Sequence, residues 1–329
     1  MSKVQIVAEA GLNHQGKLNT AWALVNSAIE AGADVVKFQL YQAERLASPT
    51  APKARYQLET TNPTESQLEM LKRLELSLED FKALAKNCRA QDVPHCRYNQ
   101  IEFLVSVFHT EAVAMAEELR AIGDRTLRPS LSRLKIPSGE LTNLPLIDAV
   151  AKAGFPVIIS TGMARLSEVE AAIEIYEAHR TPGAYIDTIL HCTSEYPADP
   201  AHANLRAMET LRRAFGYPVG LSDHTLGWEI PVAAVALGAT MIEKHFTLDR
   251  NQEGPDHSSS LELEEFAQMV KMIRNIEAAL GDGRKRPSLA EGATAERSRK
   301  KLVAAVPIPQ GAVITEEMVT RLRAEGGMG

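Results

Sequence analysis

Two lysines and two glutamates stand within short segments of the sequence that are otherwise apolar. Lys37 lies in Val-Val-Lys-Phe and Lys135 in Leu-Lys-Ile, while Glu9 and Glu243 stand in similar runs. Burying a lysine in such a segment is costly unless a negative charge compensates it. The compensating group is either an anionic substrate or a carboxylate of the protein, such as Glu9 or Glu243, and the residues alone leave both interpretations open.

Hydroxyl side chains beside glycines add a second chemical signal. Ser138, Ser160 and Ser222 each have a glycine within two residues along the chain. Small residues of this kind allow backbone amides to approach a phosphate closely. Together with the two lysines, these serines predict a site for a phosphate and a carboxylate.

Two histidines could hold a metal ion. His224 and His245 end two apolar runs that follow one another along the chain. Neighbouring imidazoles can bind a divalent metal, with Glu9 or another oxygen ligand and water completing the coordination. Open coordination positions would let such a metal polarise a carbonyl group and activate water. The alternative for each histidine is a hydrogen-bonding role at the rim of the site. His14 is a third candidate ligand, with loop anchoring as its alternative role.

The elements that must position these residues repeat along the chain. Eight runs rich in Val and Ile are each followed by a helical pattern, and they are Val4–Glu9, Asp34–Leu40, Ile101–Val107, Leu134–Ser138, Pro156–Thr161, Ile186–Thr193, Pro218–Asp223 and Thr240–Phe246. Continuously apolar runs are typical of parallel strands that are buried on both faces. Eight strand–helix units in about 280 residues favour an α/β fold with a closed (β/α)8 TIM barrel, and an open doubly wound sheet is the alternative. In such a barrel the polar strand ends meet in one pocket.

The rest of the sequence is predicted to be organised around this barrel. The expected division is a barrel domain at 1–282, a linker at 283–300 and a C-terminal segment at 301–329. About thirty residues are too few to form a hydrophobic core of their own. A long polar loop, Tyr41–Asn62, follows the second strand, and insertions are predicted at 91–100 and 123–132.

Composition narrows the class of protein. The formal net charge of −6 gives no reason to expect nucleic acid or a membrane surface as a partner. The three cysteines are scattered without a CxxC pair, which fits a reducing compartment better than a disulfide framework. The N-terminus has no signal-peptide pattern, and no stretch reaches the roughly 18 apolar residues of a membrane span. We therefore expect a cytoplasmic protein without nucleic acid or membrane partners.

Eight motifs, spread in order over nearly the whole barrel, resemble the sialic acid synthase family, which includes N-acetylneuraminate and N,N′-diacetyllegionaminate synthases. They are Ile6–Gly16, Gly32–Gln39, Lys135–Glu140 with Thr142 and Asn143, Ser160–Met163, His191–Pro197, Gly220–Thr225, Glu243–Thr247 and Gly254–His257. One strand end departs from the family pattern. Members usually have Ser-Thr-Pro-Phe where this chain has Val105-Ser106-Val107-Phe108, so Ser106 keeps one hydroxyl.

The resemblance implies phosphoenolpyruvate, a divalent metal and an N-acetylated mannosamine-type sugar as ligands. Phosphoenolpyruvate would contact Lys37, Ser106, Lys135, Ser138, Ser160, Ser194 and Ser222. The metal, Mn²⁺ or Mg²⁺, would be held by His224 and His245, with Glu9 as a further candidate. The sugar would face Gln39, Glu140, Tyr196, Glu243, Asp256 and Arg323.

The reaction implied by the resemblance joins C3 of phosphoenolpyruvate to the aldehyde carbon of the open-chain sugar. Water then adds at C2, and phosphate leaves. Lys37 and Lys135 would neutralise the phosphate and the carboxylate, while Glu140 or Glu243 would transfer protons. Two alternatives stay open. One is a non-catalytic homologue that binds phosphoenolpyruvate and metal. The other is a phosphoenolpyruvate-dependent aldol-type synthase for a phosphorylated aldose, which would need a further basic cluster that the strand ends do not show.

Family members also carry a C-terminal antifreeze-like (SAF) domain. In the homodimer it covers the partner's active site and supplies an arginine to the N-acetyl group of the sugar. Arg323 falls near the expected position of that arginine. Since the similarity ends about halfway through the domain, we expect 301–329 to be a truncated SAF segment, poorly ordered or ordered only against a partner chain.

Overall fold

Eight parallel strands close into a barrel within the part of the chain that the structure describes. The computed structural model describes residues 3–88, 101–122 and 131–328. The strands are β1 (Gln5–Gly11), β2 (Val35–Leu40), β3 (Glu102–Val107), β4 (Leu134–Ile136), β5 (Val157–Ser160), β6 (Ile186–Cys192), β7 (Val219–Asp223) and β8 (Met241–His245). Because β1 pairs with both β2 and β8, the sheet has no free edge. The predicted TIM barrel is confirmed, and the open doubly wound sheet is wrong.

Helices carry the chain from each strand to the next. They are α1 (Leu18–Glu30), α2 (Ala43–Leu46), α3 (Arg55–Thr60), α4 (Gln67–Leu74), α5 (Leu78–Asn87), α6 (Thr110–Ala121), α7 (Leu144–Lys152), α8 (Leu166–His179), α9 (Ala207–Phe215), α10 (Glu229–Ala236) and α11 (Leu263–Leu280). None of the helices in the described ranges is long and apolar enough to cross a membrane. The predicted insertion at 91–100 lies outside the described residues, as does 123–130 of the insertion predicted at 123–132.

The region between β2 and β3 differs from the sequence-based expectation. The helical pattern Glu65–Arg89 predicts one helix, but the structure has two, α4 and α5. The first helix ends at Leu74, and Ser77 starts the second, because its hydroxyl accepts a hydrogen bond from the backbone amide of Asp80 while the Asp80 carboxylate accepts one from the amide of Ser77. This reciprocal capping box favours a new helix start over a continuous helix. The predicted loop Tyr41–Asn62 also contains α2 and α3.

Side chains along each strand alternate between the inside of the barrel and the face that packs against the helices. Six side chains form a buried apolar layer inside the barrel, and they are Val7, Val35, Leu104, Ile158, Leu190 and Met241. Their strand neighbours, such as Ile6 and Val36, belong to the larger core that includes the helices. Successive strand residues point to opposite faces, so the inward residues recur every second position. The sequence predicts strands that are apolar along their whole length. This holds only for the apolar layer just described, because the inward-facing residues two positions further along each strand are polar.

Residues Gly281–Gly329 form a second compact unit. It contains α12 (Leu289–Ser298) and an antiparallel pair, β9 (Lys301–Ala304) and β10 (Val319–Leu322). The sequence pattern also predicts a short strand at Ala312–Ile314, which the structure does not have. None of its described residues is buried, which agrees with the expectation that so short a segment forms no core of its own.

An ion-pair cluster joins three strands at their amino ends. Arg133 precedes β4, and its guanidinium donates to Glu102 of β3 at 2.8 and 3.0 Å and to Asp187 of β6 at 2.7 Å. The Arg133 side chain is 7% exposed. Removing one partner of such a cluster leaves partly buried charges without compensation. The cluster therefore stabilises the end of the barrel that lies away from the strand carboxyl ends.

Replacing Arg133 with leucine is expected to lower the free energy of unfolding by about 3 kcal/mol. Urea unfolding followed by the fluorescence of the two tryptophans would measure the change. The matched control is Lys152→Leu, because Lys152 is 63% exposed and pairs with Asp148 on the same helix. That exposed pair should contribute less than about 1 kcal/mol. Equal losses for the two variants would contradict a structural role for the Arg133 cluster.

Candidate active site

A cavity of about 370 Å³ opens at the carboxyl ends of the barrel strands. All seven residues predicted to contact phosphoenolpyruvate line it, and they are Lys37, Ser106, Lys135, Ser138, Ser160, Ser194 and Ser222. So do other predicted site residues, namely Glu9, Gln39, Tyr196, His224, Glu243, His245 and Asp256. Its size lies within the range of small-molecule sites. The topology of the barrel thus brings together residues that are up to about 250 positions apart in the sequence.

Of the predicted sugar-binding residues, one does not line this cavity and one belongs to the second compact unit. Glu140 ends a short 3₁₀ turn, Ser138–Glu140, and its carboxylate accepts a hydrogen bond from Asn143 Nδ2 at 2.7 Å. Arg323 belongs to the second compact unit, where its Nε donates to the Ser298 carbonyl at 3.1 Å. Their predicted roles stay predictions.

Four buried charges form a network inside the barrel. Lys37 Nζ lies 2.7 Å from Glu9 Oε2 and 3.6 Å from Glu243 Oε2, and it donates to Ser106 Oγ at 3.0 Å. Lys135 donates to the other oxygen of Glu243. The side chains of all four charged residues are less than about 6% exposed. Of the two open interpretations, pairing with protein carboxylates is the one that the structure shows for both lysines.

The carboxylates of the cavity differ in how readily they ionise. Burial opposes ionisation of Glu243, but Lys135 and Lys37 lower its pKa to about 2. Burial, only partly offset by Lys37, raises the pKa of Glu9. Burial and the nearby charge of Glu9 raise the pKa of Asp256 to about 6. Glu243 is therefore ionised at neutral pH, while Glu9 and Asp256 hold a proton more readily.

Several hydroxyl groups cluster at the carboxyl ends of β4, β5 and β6, where the backbone at Gly162 comes close to two of them. The amide of Gly162 donates to Ser138 Oγ at 3.0 Å. A Cβ atom at Gly162 would lie 2.2 Å from Ser194 Oγ and 2.8 Å from Ser138 Oγ, so any larger residue there would displace these two hydroxyls. Ser160 Oγ is buried and has no hydrogen-bond partner among the described residues. This arrangement offers several donors to an anion such as a phosphate.

The two predicted metal ligands lie side by side, with ring centroids 5.3 Å apart. His224 Nδ1 lies 2.7 Å from the Thr193 carbonyl, which leaves Nε2 for a ligand. His245 Nδ1 is buried without a hydrogen-bond partner in the described ranges, 3.8 Å from Asp256 Oδ2. No group of three or more His, Cys, Asp or Glu side chains in the described chain is arranged to hold a metal. The residues fit a metal bound by two imidazoles, with its other ligands supplied by water or substrate.

His14 anchors its loop, which was the alternative to a role as a metal ligand. It does not line the cavity, its Nδ1 accepts a hydrogen bond from the Gly16 amide at 3.0 Å, and burial lowers its pKa to about 4. A neutral, buried imidazole that is bonded to its own loop anchors the turn after β1.

One wall of the cavity was missed by the sequence analysis. Its residues come from the segment after β2, and they are Leu46, Tyr56, Gln57, Gln67 and Leu71. The unusual length of the loop Tyr41–Asn62 was the available signal, since long loops of a barrel commonly carry function. Lys53 organises this segment, because its buried Nζ donates to Thr61 Oγ1, the Asn62 carbonyl and Glu65 Oε1 at 2.7–2.9 Å.

Aromatic rings connect this wall to the histidines. The rings of Tyr56 and Tyr196 stack with centroids 5.0 Å apart, and the Tyr196 ring lies 4.1 Å from that of His224. Tyr196 thus lies between the segment after β2 and the two imidazoles, and its predicted role in sugar binding stays a prediction.

Comparisons with known proteins agree with this geometry. The model of the NeuB family matches residues 24–285. An N,N′-diacetyllegionaminic acid synthase of Campylobacter jejuni is 44% identical over 100% of this chain and 92% of its own length. The enzyme of the same name from Legionella pneumophila is 41% identical over 98% of this chain and 86% of its own length.

A solved structure is similar as well. N-acetylneuraminic acid (sialic acid) synthetase from Leptospira borgpetersenii serovar Hardjo-bovis, in complex with citrate, has 34% sequence identity and a TM-score of 0.71. The similarity covers 90% of this chain and 91% of that chain. The family match, the identities and the shared barrel agree with the motifs along the strands, and this chain therefore belongs to the NeuB family, the family of the sialic acid synthases.

Proposed function

We propose that this protein is a nonulosonic acid synthase that condenses phosphoenolpyruvate with an N-acetylated mannosamine-type sugar. The acceptor is N-acetylmannosamine or 2,4-diacetamido-2,4,6-trideoxymannose. The observation that carries the proposal is one cavity that combines two buried lysines, a hydroxyl cluster around Gly162 and two adjacent imidazoles. The names of the most similar relatives support the same reaction class.

The proposed reaction forms one carbon–carbon bond and breaks one carbon–oxygen bond. C3 of phosphoenolpyruvate attacks the aldehyde carbon of the open-chain sugar, water adds at C2, and the C2–O bond to phosphate then breaks. Lys37 and Lys135 stabilise the negative charges of phosphoenolpyruvate. Ser138, Ser160 and Ser194, with the Gly162 amide, orient its phosphate. Of the two carboxylates predicted to transfer protons, Glu243 lines the cavity, whereas Glu140 does not and is bonded to Asn143. The low pKa of Glu243 suits it to pair with the two lysines rather than to carry a proton.

The charge balance of the cavity supports a metal requirement. Lys37 and Lys135 already pair with Glu9 and Glu243, so the buried network offers little net positive charge to an incoming anion. Binding highly charged phosphoenolpyruvate in so buried a place needs a further cation. We assign Mn²⁺ or Mg²⁺ to His224 and His245; when bound, it polarises the sugar aldehyde and activates water.

We further propose that 301–329 is part of an antifreeze-like (SAF) domain and that the protein acts as a cytoplasmic homodimer. The absence of buried residues in the described part of this unit supports docking against another surface. Arg323 is exposed there and would reach the sugar of a second copy. Cys88 and Cys192 are buried as free thiols, which supports a reducing compartment.

Phosphate release from phosphoenolpyruvate tests the proposed reaction. With Mn²⁺ and either acceptor sugar, the protein should release phosphate, and no release should occur without sugar. EDTA or the change His224→Ala should lower the rate by at least about 100-fold, because the site then loses the group that polarises the aldehyde. Phosphoenolpyruvate binding without phosphate release, with either sugar, would instead favour a non-catalytic homologue.

The close approach of Gly162 gives a second test. In the Gly162→Ala variant the new Cβ atom would displace Ser194 and Ser138, so the KM for phosphoenolpyruvate should rise at least about tenfold while the KM for the sugar changes little. Steady-state kinetics with each substrate varied in turn would measure both constants.

Gly139→Ala is the matched control for that variant. Gly139 also lines the cavity, but a Cβ atom there would meet nothing within 4 Å. Equal KM values for phosphoenolpyruvate in the two variants would contradict the placement of the phosphate beside Gly162.

A further inference from the structure

The cavity has two chemically different sides, and the barrel topology places them on different arcs of the rim. The hydroxyl cluster around Gly162 lies above β4, β5 and β6. The other side lies above β1, β2 and β3, where Leu12 and Phe108 follow β1 and β3 and the segment α2–α4 follows β2. If phosphoenolpyruvate occupies the hydroxyl side, the acceptor sugar extends toward the segment α2–α4.

Four apolar side chains form a continuous surface on this second side, and we call it the apolar wall. They are Leu12, Leu46, Leu71 and Phe108, and all four line the cavity. They pack into a small hydrophobic cluster, separate from the barrel core, which also contains Tyr41, Met70 and Leu74. An apolar surface inside an otherwise charged cavity favours ligands that place a methyl or methylene group against it.

Two glutamines stand beside the apolar wall. Gln57 is 8% exposed, and its Oε1 accepts hydrogen bonds from the Ala54 amide at 3.0 Å and from Gln67 Nε2 at 3.5 Å. Both glutamines line the cavity, and Gln67 is only partly buried. A side-chain amide offers both a donor and an acceptor, which matches the two hydrogen-bonding groups of an acetamido substituent.

No lysine or arginine of the segment α2–α4 lines the cavity. Among the described residues that line the cavity, Lys37 and Lys135 are the only lysines or arginines, and both pair with carboxylates. A phosphate ester at the far end of the sugar would therefore be desolvated without a cation to balance it. The cavity lining therefore disfavours an acceptor that carries a phosphate group. It is also unfavourable for a hydroxyl group that faces the leucines.

We propose that the apolar wall, with Gln57 and Gln67, selects an unphosphorylated 6-deoxy acceptor that carries a second acetamido group. The C6 methyl group packs on Leu46 and Leu71, and the C4 acetamido group exchanges hydrogen bonds with the glutamine amides. This inference rests on the proposed function and narrows its acceptor to 2,4-diacetamido-2,4,6-trideoxymannose. N-acetylmannosamine has hydroxyl groups at both positions, so it leaves the amides poorly matched and places a polar group against the apolar wall.

The test compares kcat/KM for three sugars, measured as phosphate release with phosphoenolpyruvate and Mn²⁺. The sugars are 2,4-diacetamido-2,4,6-trideoxymannose, N-acetylmannosamine and N-acetylmannosamine 6-phosphate. The wild-type protein should prefer the first over the second by at least about tenfold and should not use the third. Leu46→Ser and Gln67→Leu should each reduce that preference by about tenfold, since one removes the apolar contact and the other the amide.

The matched control is Leu68→Ser. Leu68 is also a partly buried leucine that packs on the same hydrophobic cluster, but it does not line the cavity. This variant should therefore keep the wild-type preference, and thermal unfolding should show whether Leu46→Ser and Leu68→Ser lose similar stability. An unchanged preference in both Leu46→Ser and Gln67→Leu would overturn the inference, as would use of the 6-phosphate or a wild-type preference for N-acetylmannosamine.

Failure of the proposed function has a different signature, namely no phosphate release with any of the three sugars. In that case the selectivity is judged by calorimetric titration of each sugar into protein that contains phosphoenolpyruvate and Mn²⁺. Tighter binding of the diacetamido sugar, weakened by Leu46→Ser but not by Leu68→Ser, would support the inference. Equal affinities for the first two sugars would overturn it.

Discussion

The pairing of two lysines with two glutamates inside the barrel is the interaction on which the site depends. Lys37, Glu9, Lys135 and Glu243 would each be very costly to bury alone, and each is tolerable only because the others are within reach. Strand register brings these charges together, because Glu9 lies directly opposite Lys37 in the pairing of β1 with β2. The closure of β8 on β1 then places Glu243 beside the same lysine. The closed barrel is thus a condition for the network.

The alternation of side chains along each strand, which has a period of two residues, also positions the other polar side chains of the cavity. Two positions beyond the apolar layer, the same six strands carry Glu9, Lys37, Ser106, Ser160, Cys192 and Glu243, and all of them line the cavity. The strand residues between them pack outward against the helices. The apolar layer therefore closes the floor of the cavity, while the next layer above it supplies charged and hydroxyl groups. A shift of one residue in register would exchange these roles along a whole strand.

Much of this arrangement could be predicted from the sequence, because strand ends in a closed barrel must converge. Lys37, Lys135 and the two histidines follow from that rule, and Ser106 follows from the resemblance to the family. The choice between an anionic ligand and a protein carboxylate for the lysines could not be made, since it depends on distances between side chains that are far apart in sequence. Glu140 belongs to one of the family motifs, yet it does not line the cavity, because its carboxylate accepts a hydrogen bond from the nearby Asn143 side chain.

The individual residues of the wall after β2 could not be named from the sequence for a related reason, although the length of the loop pointed to this segment. Tyr56, Gln57 and Gln67 lie on short helices whose packing depends on Lys53 and on a small hydrophobic cluster, and these are contacts between separate parts of the segment. Recognition in the cavity is consequently divided between two kinds of structure. The charged and hydroxyl groups are held by strand register and cannot change without disturbing the barrel. The side that we propose for the acceptor is built from loops and short helices, which can vary in sequence while the strands stay intact. A barrel of this kind can keep one chemistry for phosphoenolpyruvate and alter its sugar by changes in the segment after β2.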